Sequence, residues 1–278
     1  MIEEILKKID DLPTLPKITT KIIEILKNPD SSILEVSKVI SSDQVLTAKI
    51  LKIINSPFYG LSRKVKTVSY AISLLGLEEI KKLVLTTSVI STLSKKGKFA
   101  KIFPFWIHSI DCAIALKVLG KHFKYKTKGE LFVFGLLHDI GKIIFGVFFL
   151  IKYSIILKKV ERENLPFYKV EEEIFGLNHA EVVKFLLKRW NFPEDMIEAI
   201  GSHHNLEKSS KCLEFSALVH LGDWISNKIV GKNLPLNEII YKVSKERRPD
   251  FNETDIEYLC EDIRKEIENS KDLLFILE

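Results

Sequence analysis

Between Glu130 and Lys142 the chain reads Glu-Leu-Phe-Val-Phe-Gly-Leu-Leu-His-Asp-Ile-Gly-Lys. The adjacent His138 and Asp139 inside this apolar run constrain the fold more than any other feature. The flanking residues belong in a core, where an unpaired ionised group is strongly destabilising. Partners of matching chemistry must therefore converge on the pair. The chain supplies them: His108 upstream, and His179, His203, His204 and Asp223 downstream. Imidazole and carboxylate are the groups that hold Zn, Fe or Mn. The same polar insert argues against a membrane span. His138, Asp139 and Lys142 interrupt the first half of the apolar stretch from Leu131 to Leu157, and Lys152 the second, a pattern that a lipid-facing helix would not tolerate. A buried central helix over 130–162, broken near Gly141 or Gly146, is expected instead.

Helical spacing governs the rest of the chain. Ile18, Ile22, Ile25 and Leu26 share one face, and Asn28-Pro-Asp30 ends that helix. Ser32 and Glu35 predict a capping box for a helix running to about Ile40. Further helices are expected from Gln44 to Ile54, from Thr67 to Leu75 with Gly76 as the break, and from Leu77 to Leu93. No segment alternates in the manner of a strand. Ser94-Lys-Lys-Gly-Lys98 marks a boundary, and all seven histidines lie at or beyond residue 108. Helices after it are expected over 99–122, 169–175, 179–190, 193–204, 211–230 and 236–246, followed by an amphipathic helix carrying Ile256, Leu259, Ile263 and Ile267. The fold class is all-α, in two helical lobes over residues 1–96 and 97–278, with no significant sheet.

Composition narrows the partners. With 278 residues, 46% hydrophobic and 28% charged, the chain can bury a full core. A net charge of +5 from dispersed lysines is too mild for a nucleic-acid footprint, so none is expected as a partner. Three cysteines without a C-x-x-C read as free thiols of a reducing cytoplasm. The acidic start Met1-Ile-Glu-Glu is unlike a secretory signal. The oligomeric state is left open.

Four motifs occur in order: Leu12-Pro-Thr-Leu-Pro16, Ile33-Leu-Glu-Val-Ser-Lys-Val-Ile40, Leu51-Lys-Ile-Ile-Asn-Ser-Pro-Phe-Tyr-Gly60 and Ala71-Ile-Ser-Leu-Leu-Gly76. Together with the order His … His-Asp … His … His-His … Asp, they resemble the HDOD domain of bacterial signalling proteins, a relative of the HD metal-dependent phosphohydrolases. The resemblance runs from about residue 12 to about residue 225 and implies an all-helical fold with a regulatory role. One departure is Gln44, where the family usually carries proline. In the first lobe, Asn55, Ser56 and Tyr59 suit either a cleft or a helix end and turn.

Carried over from the HD pattern, one metal would take His108, His138, Asp139 and Asp223. A second would share Asp139 and add His179, His203 and His204. Fe, Mn and Zn are all allowed, with two ions implied. Lys142, one turn past His138, is placed to meet a phosphoryl oxygen, or else reaches out to solvent. The catalytic pair, if the chain is an enzyme, is Lys142 with Asp139. His220, His122 and Asp111 read as structural, and Cys112 as a buried small hydrophobe. After His204 the Gly-Tyr-Pro motif of cyclic-di-GMP phosphodiesterases is missing, so hydrolysis of that dinucleotide is not expected. Pro104 stands where relatives with a third metal carry Glu, so a trinuclear site is not expected either. The function implied is a stand-alone cytoplasmic signalling protein that binds a protein partner or a small nucleotide-like ligand. The alternative is an active phosphohydrolase or phosphodiesterase, and a weaker one a di-iron oxygenase.

Overall fold

The computed structural model describes residues 2–10, 15–26, 32–56, 59–94, 99–125, 128–209, 212–232 and 234–271. Among them the regular elements are helices, and no strand occurs. Two compact units form. One comprises residues 1–12 with 98–264, the other residues 13–97 with 265–278.

The unit of residues 13–97 contains α2 (Lys17–Leu26), α3 (Ile33–Ser41), α4 (Gln44–Ile54), α5 (Val68–Leu75) and α6 (Leu77–Ser94). Short polar side chains start three of them. Ser32 Oγ accepts from Glu35 N at 3.1 Å, Asp43 Oδ1 from Leu46 N at 2.9 Å, and Thr67 Oγ1 from Tyr70 N at 3.2 Å. Gln44 replaces proline without penalty, because an N–H at the first helical position has no intrahelical acceptor in any case. Buried Val36, Ile40, Ile50, Ile53, Ile72, Ile80 and Val84 fill the core, and Thr19 and Ser88 share a buried hydrogen bond of 2.6 Å. Asn55 ends α4, donating to Leu51 O at 2.7 Å and Val65 O at 2.8 Å while accepting from Val65 N at 2.7 Å. Ser56 donates to Ile53 O at 2.6 Å, and Tyr59 to Glu79 at 2.8 Å. Asn55 and Ser56 are thus helix-end residues. The expected stop at Asn28-Pro-Asp30 and most of the Ser94–Lys98 boundary lie outside the described residues.

The other unit contains α1 (Ile2–Asp10), α7 (Phe99–His122), α8 (Lys128–Leu137), α9 (Ile140–Phe148), α10 (Leu150–Glu163), α11 (Phe167–Phe175), α12 (His179–Arg189), α13 (Glu194–Gly201), α14 (Leu213–Ile229), α15 (Glu238–Arg247) and most of α16 (Glu253–Asn269). α7, α8 and α14 pack together, and α12 meets α9 and α13. Two glycines allow the closest approaches. A Cβ on Gly135 would stand 2.5 Å from Ala113 Cα, and one on Gly141 only 2.1 Å from the carbonyl oxygen of His179. No side chain fits at such distances.

Two expectations are corrected here. The central helix over 130–162 is three helices, broken at His138–Asp139, just before Gly141, and again at Phe149. A helix at Ile2–Asp10, absent from the sequence reading, buries Ile5 and Ile9 and packs on α12, where Arg189 donates to the Ile9 carbonyl. The apolar segment Leu131–Phe148 is 94% buried, as the charges within it demand.

Candidate metal centre

Each candidate ligand is set in place by local structure. His108 projects from the middle of α7, and His138 and Asp139 occupy the break between α8 and α9. His179 is the first residue of α12. Asn178 caps that helix and forms a reciprocal capping box with Glu181. His203 and His204 follow the end of α13, and Asp223 lies on α14.

Hydrogen bonds to Nδ1 orient three of the rings. His138 donates from Nδ1 to Gly135 O at 2.6 Å, and His203 to Ile200 O at 2.6 Å. His179 donates from Nδ1 to Glu171 Oε2 at 2.5 Å. All three therefore turn Nε2 inward, the atom that an unprotonated imidazole offers to a metal.

The inward atoms converge. His179 Nε2 lies 2.8 Å from His204 Nε2 and 3.2 Å from Asp139 Oδ1. His138 Nε2 lies 3.4 Å from Asp139 Oδ1 and 3.6 Å from Asp223 Oδ1. His108 Nε2 lies 2.8 Å from Asp223 Oδ1 and 3.5 Å from Asp139 Oδ2. The ligand atoms of three groups lie within 4.8 Å of one another: His108, His138 and Asp223; His179, His203 and His204; and His138, Asp139 and His203. The last trio links the other two. Asp139 turns Oδ1 toward His138 and His179, and Oδ2 toward His108 and Lys142.

A cation fits this arrangement. His138 Nε2, Asp139 Oδ1 and His203 Nε2 are buried without a hydrogen-bond partner. Such orphaned groups are costly unless something binds them. The contact between Nε2 of His179 and of His204 suits neighbouring ligands too, since two imidazoles at right angles on a metal at about 2.1 Å stand about 3 Å apart.

Electrostatics divide the set: against burial, Asp139 holds His138 well above ordinary histidine and Glu171 raises His179. Burial alone would raise the Asp139 carboxyl, but His138, Lys142 and His179 hold it well below the usual carboxylate range. Asp223 is likewise held low against burial by His108 and His138. Burial, then repulsion from neighbouring imidazoles, pushes His203 and His204 well below ordinary histidine, so both stay neutral at pH 7.

Lys142 points inward. Only 6% exposed, it donates from Nζ to Asp139 Oδ2 at 2.6 Å, so the solvent-reaching alternative does not hold. His220 donates from Nδ1 to His203 O at 2.8 Å, a bracing contact, and His122 meets Arg248. Asp111 is partly buried, which raises its carboxyl to about 6. Cys112 is buried with its thiol pushed up by burial, as a small apolar residue would be.

Three contributors escaped the sequence reading. Glu171, fully buried, accepts from both the ring and the backbone N of His179. Tyr153 reaches the other Glu171 oxygen at 3.5 Å. Asn227 donates to Asp223 Oδ1 at 2.7 Å. Helical spacing carries a signal for Glu171: Phe167, Val170, Glu171 and Ile174 fall on one stripe of α11, so this carboxylate shares the apolar face.

Comparison with known proteins gives the family and the fold. A Treponema pallidum (strain Nichols) protein of uncharacterised function is 29% identical over 203 residues, 72% of this chain. The aligned part spans only 39% of that relative's length. An HDOD domain protein of unknown function from Geobacter sulfurreducens superposes with a TM-score of 0.79 at 26% identity, covering 100% of this chain and 99% of that one. A provisionally named phosphohydrolase from Shewanella amazonensis SB2B shares the fold, with a TM-score of 0.78 at 22% identity over 99% and 98% of the two chains. The profile of the HDOD domain matches residues 12–206, so the chain belongs to the HDOD family.

Proposed function

We propose that this HDOD protein is a regulatory module whose histidine-bearing unit is organised around two divalent metal ions. One ion takes His108, His138, Asp139 and Asp223; the other shares Asp139 and takes His179, His203 and His204. The observation that carries the reading is the buried, partnerless trio of His138 Nε2, Asp139 Oδ1 and His203 Nε2. Fe, Mn and Zn all suit a mixed N/O set. The unit then signals by binding a protein partner or a small nucleotide-like ligand in the cytoplasm.

Metal analysis of anaerobically purified protein tests the assignment. Asp139 is the shared ligand, so Asp139→Ala should lose both ions, whereas His179→Ala should keep the first. Equal and undiminished metal content in the two variants would sink the two-ion assignment.

A second reading, phosphoester hydrolysis, is favoured by the inward Lys142 and by the provisional name of the Shewanella protein. Divalent metal in such a site supplies Lewis acidity and acidifies water. The chain's own part is to hold charge in place. Lys142 meets a phosphoryl oxygen as a point charge, the neutral His203 and His204 keep their lone pairs, and Glu171 fixes the His179 ring. A panel of nucleotides and phosphoesters presented to the metallated protein separates the readings, since turnover of any member belongs to the second alone.

A further inference from the structure

The first helix, α1, is shaped to pack against a neighbour and is too short to stand alone. Ile2, Ile5, Leu6 and Ile9 form one stripe at spacings of three and four, while Glu3, Glu4, Lys7 and Asp10 are exposed. Ile5 and Ile9 are buried. Its nine residues are fewer than the roughly 12 to 15 that an isolated helix needs in water. The helix therefore persists only while it is seated.

Its seat runs the length of α12. At one end Ile2 lies over Gly176, which closes α11 just before Asn178 and His179. A Cβ built on Gly176 would meet Ile2 Cδ1 at 3.6 Å. At the other end Arg189, in the last turn of α12, donates from its guanidinium to the Ile9 carbonyl. That carbonyl belongs to the last turn of α1, where acceptors lack helical partners and positive charge is favoured. The buried Ile5 and Ile9 thus lie between a contact at the α11–α12 junction and a polar latch at the far end of α12.

What α1 braces is the side of the centre that α12 carries. His179 opens α12, and its ring and backbone N are both held by Glu171 of α11. Those bonds survive only while α11 and α12 keep their relative position, and α1 touches both. His108, His138, Asp139 and Asp223 stand on other elements. The chain also leaves α1 almost at once for the unit of residues 13–97, so the brace is tethered directly to that unit.

We propose that α1 is a detachable strap. Seated, it holds α12 against α11 and keeps His179 in ligating position; released, it unfolds and loosens that side of the centre alone. Its bearing on metal rests on the two-ion reading, whereas the strap is defined by its own contacts.

A full-length protein carrying Ile5→Glu and Ile9→Glu, whose strap cannot seat, tests this together with a synthetic peptide of residues 1–12 supplied in trans. Amide hydrogen exchange and zinc affinity, read by competition with a chromophoric chelator, are the two measurements. The α12 amides should exchange faster in the variant, while those of α7 and α14 stay as in wild type. The second ion should bind about tenfold more weakly with the first unchanged, and the peptide should restore both readouts. Linkage demands the reverse effect, so zinc should tighten peptide binding by the same factor. Arg189→Gln, which removes the latch and leaves the core intact, should move both readouts the same way by a smaller amount. Unchanged α12 exchange, exchange that rises across the whole unit, equal loss of both ions, or a peptide that restores nothing would each overturn the strap. Wild type that takes up no zinc, while its α12 amides still depend on α1, would strike the metal centre and leave the strap standing.

Discussion

With the Nδ1 proton of His179 tied to Glu171, the ring must present Nε2 to the centre, and a change at Glu171 acts through that ring. Outer carboxylates of this kind typically contribute 10- to 100-fold in metal affinity. Glu171→Gln keeps the shape but loses the charge, so metal affinity should fall by about 10- to 100-fold, read by competition with a chromophoric chelator. A Co(II)-substituted sample should keep its ligand count while its absorption bands shift. Affinity equal to wild type would leave Glu171 as mere packing. Lys142 makes a different kind of contribution, because its buried ammonium bonds Asp139 itself. If the metallated protein hydrolyses a phosphoester, Lys142→Ala should cut turnover by about 10²-fold with metal content unchanged. Retained turnover would take Lys142 out of the chemistry.

At the scale of elements, α9 and α12 come together only because residue 141 has no side chain. The missing Cβ leaves room for the His179 carbonyl and so brings the start of α12 against the His138–Asp139 break. Gly141→Ala should destabilise the fold by about 3 kcal/mol, the upper end for overpacking because the obstacle is backbone. Urea unfolding would show this, with metal content falling in parallel. An unfolding midpoint equal to wild type would mean that the helices part at no cost.

The same elements show what could be read in advance. Periodicity and capping residues located α3, α4, α5, α6 and α7 nearly to the residue, because those signals are local. His138 and Asp139 were legible because they stand out against apolar neighbours, and the resemblance to the HD pattern supplied the other five candidate ligands. A break near Gly141 was expected, but not that it falls on His138–Asp139 themselves, since a run of helix-compatible apolar residues does not reveal where a turn puts two side chains toward one point. Glu171 was easy to miss despite its place on the apolar stripe of α11. It opens the acidic run Glu171-Glu172-Glu173, which looks like a solvated face until the burial of its first member is known.

For the molecule as a whole, the metal-binding reading makes stability a matter of mass action. Ligand-free His138, Asp139 and His203 leave buried polar atoms unanswered, a burden on the folded state alone. Chelation should therefore lower the thermal midpoint, and metal at about 100 times its Kd should return about 2.7 kcal/mol. A midpoint indifferent to chelator and to added metal would contradict a structural role for the ions.

The position of α1 sets an order of events during synthesis. Its apolar side chains Ile5 and Ile9 end up buried in the unit that also contains α12, yet residues 13–97, which belong to the other unit, are made in between. At about 5–20 residues per second, the ribosome takes roughly ten to forty seconds to travel from α1 to the end of α12. Throughout that interval α1 has no docking surface in its own unit. It is a segment for which a holding chaperone would matter, made well before the unit that it joins can close.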